Sequence, residues 1–169
     1  VSNPFWDFSL SVYGHADVAA ACLALQDRHG ADVNLVLFCL WSGSRGHVVT
    51  DAELTHLMAI TRPWQQDVIA PLRAVRRHLK AIEPAPEQLC ACVKAAELAA
   101  EEAEQQMLFD DLAIIAGHGA PGLAGGNMTA YLTALGVGVE ATDVADLAAI
   151  LRGCYPDLPP LQAVWAVTG

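Results

Sequence analysis

Val33-Asn34-Leu35-Val36-Leu37-Phe38-Cys39-Leu40-Trp41 carries a single polar side chain, Asn34, in an otherwise apolar run. A segment of this kind must be hidden from water on every side. By periodicity alone it could be a buried strand. No other segment of the chain shows the period-two alternation expected of a partner strand, so a helix is expected, and a helix apolar all round belongs at the centre of a core. Asp32 stands where an N-cap belongs. The run is far shorter than the roughly 18 apolar residues of a membrane-spanning helix, and no membrane partner is expected.

The flanking sequence reads as further helices. Asn3-Pro4 is an N-cap followed by proline at the first helical position. It opens a short helix carrying Phe5, Trp6, Phe8, Leu10 and Val12. Asp17 can cap a second helix that ends at Gly30. Thr50-Asp51-Ala52-Glu53 has the spacing of a capping box, and Pro63 predicts a kink or break in the helix that follows. Trp64, Val68, Leu72, Val75, Leu79 and Ile82 then recur at helical spacing. After the turn at Glu83-Pro84-Ala85-Pro86 a long helix is expected from Glu87 to Ala116, with Leu89, Val93, Ala96, Ala100, Ala103 and Met107 inward and Glu97, Glu101 and Glu104 as an acidic stripe beside them. These two helices should form a long antiparallel hairpin. The expected fold is therefore all-α: a multi-helix bundle around a buried apolar helix, with a looser C-terminal helical tail. The expected division is a helical core over 1–116, a glycine-rich linker over 117–126 and a helical appendage over 127–169, packed on the same domain. In the appendage Asn127, and Thr142 or Asp143, are the expected caps.

Composition narrows the partners. The 169 residues are 54% hydrophobic and 17% charged, which excludes disorder as the main state. A net charge of −10 argues against nucleic acid, because affinity for phosphate backbones comes largely from Lys and Arg. The five cysteines, Cys22, Cys39, Cys90, Cys92 and Cys154, form no C-x-x-C pair and fit free thiols in a reducing compartment. The N-terminal Val1-Ser2-Asn3-Pro4 has neither a basic nor an apolar leader region, so no signal peptide is expected and the cytoplasm is the expected location.

Three groups of residues together resemble a proteobacterial family of small proteins of unknown function. They are Asn3-Pro4-Phe5-Trp6-Asp7-Phe8-Ser9-Leu10, Cys22 to Asp27, and Gly30-Ala31-Asp32-Val33-Asn34-Leu35. Trp64, Pro71-Leu72-Arg73 with Arg76-Arg77 and Lys80, and Glu97-Leu98 continue the likeness, which covers about the first two thirds of the chain, to Met107. The resemblance implies a bacterial, cytoplasmic, helical protein and brings no activity, cofactor or catalytic residue.

Four constellations are candidates for chemistry. In an antiparallel hairpin about Pro84–Pro86, Arg73 lies level with Glu97, and Gln26, Asp27, Asp32 and Asn34 are the nearest polar residues to join them. That set is expected as a structural polar network that fixes helix register. Arginine forks also recognise carboxylate and phosphate, so Arg73, Arg76 and Arg77, walled by Trp6, Trp41 or Trp64, could line a site for an anionic ligand. Glu53-x-x-His56 has the step of a di-iron bundle, but such sites need a second step, and no metal is expected. Gly117-x-Gly119-x-x-Gly122 after Ile114-Ile115-Ala116, with Glu140 about twenty residues on, matches the outline of a dinucleotide loop. A long amphipathic helix precedes it and Gly125-Gly126 follow, so a glycine-rich hinge is expected instead. Ser9, Ser42 and Ser44 lack a nucleophile-elbow setting, and no cofactor or catalytic residue is expected. With a mean hydropathy of +0.34, the chain is expected to be a non-catalytic interaction protein, either a homo-oligomer or the partner of another cytoplasmic protein. The alternative is a binder or enzyme for an anionic small molecule.

Overall fold

The computed structural model of the protein describes residues 3–114 and 117–169, and every regular element in them is helical. In chain order these are α1 (Pro4–Tyr13), α2 (Ala16–His29), α3 (Val33–Ser44), α4 (Asp51–Trp64), a π-helical turn (Gln65–Ile69), α5 (Ala70–Lys80), α6 (Glu87–Asp111), α7 (Pro121–Ala134), α8 (Ala141–Cys154) and α9 (Pro160–Thr168). Among the described residues, no single helix is long and apolar enough to cross a membrane.

Local chemistry sets several helix starts. Asn3 accepts from the backbone N–H groups of Phe5 at 3.0 Å and Trp6 at 3.3 Å, and Asp32 accepts from that of Asn34 at 2.9 Å. Thr50 and Glu53 close their capping box reciprocally. Asp17 is not a cap: α2 starts at Ala16, behind His15. Asn127 is not one either. It lies inside α7, buried, where its amide joins Val49 N–H to the carbonyl of His47.

Pro63 does not break its helix. A proline cannot donate a backbone hydrogen bond; α4 runs on to Trp64, and the next turn widens to π spacing before α5 resumes. Such a turn re-aims the side chains on it, and it carries Gln65 inward.

Helix α3 is the centre of the molecule, with every residue from Leu35 to Gly43 buried. Phe38 meets Phe5 edge-on at 5.1 Å, and Trp41 packs between Phe5 and Phe109. Helix α7 lies so close to α3 that a Cβ on Gly43 would stand 2.3 Å from the Cα of Ala124. The stretch expected as a linker over 117–126 is thus helical from Pro121, and two of its glycines have opposite roles. A Cβ on Gly125 would stand 2.3 Å from the Ala166 carbonyl oxygen of α9, whereas Gly126 faces open space. The C-terminal helices are not a looser tail. Met128, Leu132, Leu147, Ile150 and Leu151 are fully buried in the same core as Phe5 and Phe38. Asp143 draws Arg28 and His29 of α2 onto α8, each at 2.7 Å.

Helices α5 and α6 form the expected hairpin, but α6 turns a different face inward. Its buried residues are Glu97, Ala100, Glu104, Gln105 and Leu108, while Leu89 is exposed and Val93 only half-buried. The acidic stripe faces the protein. Alanines lose little by facing water, so Ala96 carries no strong preference, and the inward face is chosen by which carboxylates find partners.

Candidate functional site

Beside α3 a cavity of about 360 Å³ opens between α1, α2, the π turn, α5 and α6. Its basic rim comes from the hairpin. Arg73 meets Glu97 at 3.1 Å and Glu101 at 3.2 Å, and Arg76 grips Glu97 through both Nε and Nη2. Burial alone would raise the Glu97 carboxyl, but the two guanidiniums outweigh it and hold it below the usual range. Glu101, pushed the other way by burial, lies above it. Lys80 and Lys94 also line the rim, and among the described residues no carboxylate pairs with either. The wall is apolar and includes Trp6, Leu10, Tyr13, Leu37 and Leu98.

The floor is a polar knot built from four segments. Gln65 Nε2 donates to Glu104 Oε2 at 2.6 Å and to Asp32 Oδ1 at 3.0 Å. Asn34 Nδ2 donates to the same Glu104 oxygen at 2.6 Å, and Gln105 Nε2 donates to Asn34 Oδ1 at 2.8 Å. From α7, the Tyr131 hydroxyl oxygen accepts the Asp32 backbone N–H at 2.8 Å. The Asp32 and Glu104 carboxyls are hydrogen-bonded to each other, which requires a proton between them. Burial raises both. Asp32 is pushed up to about 6, and Glu104, with the Asp32 charge added, to about 9. Near neutrality the pair therefore keeps one proton and one negative charge.

A second cavity, of about 490 Å³, lies on the far side toward α4 and α7. Gln26, Asp32, Gln65 and Arg73 line both, so these four side chains form a polar partition between two hollow spaces.

The expected site residues divide in two. Gln26, Asp32, Asn34, Arg73, Arg76 and Glu97 come together around the first cavity. Asp27 and Arg77 do not join them: they are exposed on the surface, 3.9 Å apart. Trp64 is turned to α6, donating its indole N–H to the Ala100 carbonyl at 2.9 Å. Trp41 is sealed in the aromatic core and lines neither cavity; of the three tryptophans expected as a wall, Trp6 is the one at the cavity. Ser9, Gln65, Glu104, Gln105 and Tyr131 were not expected. Glu104 lay in the acidic stripe, and the proline before Gln65 was the signal for an altered helical turn.

The other motifs are used structurally. Glu53 serves its capping box and meets His47 at 3.2 Å, and His56 meets Asp111 at 2.9 Å. In the glycine motif, Gly119 N–H donates to the Ser44 carbonyl at 2.8 Å, and a Cβ there would overlap the Gly43 carbonyl oxygen. Ile115 and Ala116, which precede that motif and were expected to end α6, lie outside the described residues.

No curated protein and no solved structure matches this chain. The matching family model spans α1 to nearly the end of α6, and so includes the cavity rim and all of its floor except Tyr131. Residues 4–108 match the family described as protein of unknown function (DUF2390), and the chain belongs to that family.

Proposed function

We propose that this protein binds a small anionic molecule in the cavity beneath the α5–α6 hairpin. The observation that carries this reading is a cavity of about 360 Å³ whose rim holds Lys80 and Lys94, with no carboxylate partner among the described residues, beside two arginines. Arg73 and Arg76 are largely neutralised by Glu97 and Glu101. Each keeps guanidinium N–H groups beyond those bonds, and the lysines supply the uncompensated charge. The volume falls in the range of small-molecule sites, and the wall is largely apolar with a few placed polar groups, as such sites are.

A thermal-melt screen of the full chain against inorganic phosphate and a set of mono- and dicarboxylates tests the reading. A ligand at about a hundred times its Kd stabilises by about 2.7 kcal/mol, enough to move the melting temperature by several degrees. The double variant Lys80→Ala/Lys94→Ala should lose that shift. A flat screen would sink the reading.

A second reading, a helical interaction protein that self-associates or binds another protein, is supported by α9. Leu161 and Trp165 stand one turn apart there, 60% and 62% exposed. Sedimentation of the full chain over a wide concentration range tests self-association, which should be lost in Trp165→Glu. Both readings place the protein in the cytoplasm, supported by five cysteines that are all free thiols.

A further inference from the structure

The polar lining of the same cavity has an unsatisfied hydrogen-bond inventory of one kind. Carboxyl groups fix the amides there. Gln65 and Asn34 must both turn their nitrogens to Glu104, so Asn34 presents Oδ1, and Gln105 must donate to it with Nε2. What remains unpaired on the cavity lining is Gln105 Oε1 and Ser9 Oγ, both buried and without a hydrogen-bond partner among the described residues. Asp32 Oδ2 and Glu104 Oε1 are left for the proton that the two carboxyls share, and Asp32 Oδ2 keeps a second lone pair. Ser9 and Gln105 are each 2% exposed, and both line the cavity with Asp32. Gln105 Oε1 is an acceptor only, and Ser9 Oγ can accept. Buried polar groups left unpaired are costly, so an occupant that satisfies them is favoured over one that does not.

We infer that the cavity takes a small zwitterion with an apolar body, its amine held by Asp32, Ser9 and Gln105 and its acid group held by Lys80 and Lys94. The acid end rests on the anion-binding reading above; the amine end is additional to it. A primary ammonium brings three N–H donors, matching three acceptors, and a positive charge, matching a carboxyl pair that holds one proton between two groups. A hydroxyl would bring one donor and no charge. The apolar lining includes Leu10, Tyr13, Leu37 and Leu98, which suits methylene or aromatic carbon rather than further polar groups.

Calorimetric titration of the full chain with the ω-amino acids from glycine to 8-aminooctanoate tests this, alongside the unsubstituted acid and the amine of each length. At the length that fits, the amino acid should bind roughly tenfold or more tightly than the acid of the same length. Asp32→Asn preserves an N-cap residue and should reduce the amino acid to the affinity of the acid, leaving the acid unchanged. Ser9→Ala should weaken the amino acid alone, which keeps the test decisive if Asp32→Asn fails to fold. Equal binding of acid and amino acid would overturn the amine end and leave the anion reading standing. Equal binding of amine and amino acid would overturn the acid end and the anion reading with it. No binding across the series would overturn both.

Discussion

The carboxyl groups of Asp32 and Glu104 meet beneath a single amide, Gln65 Nε2, which reaches one at 3.0 Å and the other at 2.6 Å. Two acids are held together here in a protein interior, and the arrangement is tolerable because one of them keeps its proton.

That proton makes stability depend on pH. Glu104 in the folded chain titrates at about 9, against 4.5 for an ordinary glutamate, so between those values the folded state holds a proton that the unfolded state has released. Its contribution is full below about pH 4.5 and is lost as pH rises toward 9. Glu104→Gln keeps a hydrogen-bonding group of similar shape and removes this titration. Melting temperatures of the two proteins should diverge in favour of the variant, on the order of several degrees, between about pH 5 and pH 9. Parallel curves would show that the pair does not share a proton.

Glu97 closes the hairpin onto both arginines and is 5% exposed. Removing it leaves the partly buried Arg76 uncompensated and Arg73 with Glu101 alone. Both retain some solvent, which moderates the penalty, so Glu97→Ala should cost about 2 kcal/mol in chemical denaturation. Arg77 is 61% exposed with Asp27 3.9 Å away, and Arg77→Ala should stay within about 0.5 kcal/mol. Similar losses at both positions would contradict this division of the arginines.

Glycines in one stretch should respond to alanine with opposite signs. Gly125→Ala drives a Cβ into the Ala166 backbone and should cost about 1–3 kcal/mol, as should Gly43→Ala against Ala124. Gly126 is helical with nothing near its missing Cβ. Gly126→Ala should stabilise by about 0.5–1 kcal/mol, the helix-propensity difference. Denaturant midpoints decide it; a destabilised Gly126→Ala would argue against helix at that position.

Thiol reactivity should follow burial. Cys22 is pushed up to about 12 by burial and Cys39 is raised for the same reason, whereas Cys92 is exposed. A thiol reagent such as dithionitrobenzoate should titrate Cys92 quickly in the native protein and reach Cys22 and Cys39 only on unfolding. Rapid reaction of all five would be incompatible with the packing of α2 and α3.

Asn3, Asp32 and Thr50 are legible as caps because capping is settled within a few residues, and the centrality of α3 is legible because a helix without a polar face has nowhere else to go. Arg73 and Glu97 are legible as partners because a hairpin about a known turn fixes their register. The inward face of α6 is not. Leu89 and Val93 point to one face and Glu97 and Glu104 to another, and local sequence favours burying the first. The second wins because Arg73, Arg76, Asn34 and Gln65, from three other segments, satisfy those carboxyls once folded. The α7 glycines follow the same logic. Locally they loosen a chain, but Gly125, with Gly43 on α3, lets helices approach to backbone contact. The helices, the caps at Asn3, Asp32 and Thr50, and the central apolar helix follow from residues close together in the chain. The tertiary structure decided which polar groups are buried and therefore where the cavity lies, because the cost of burying a charge is set by partners distant along the chain.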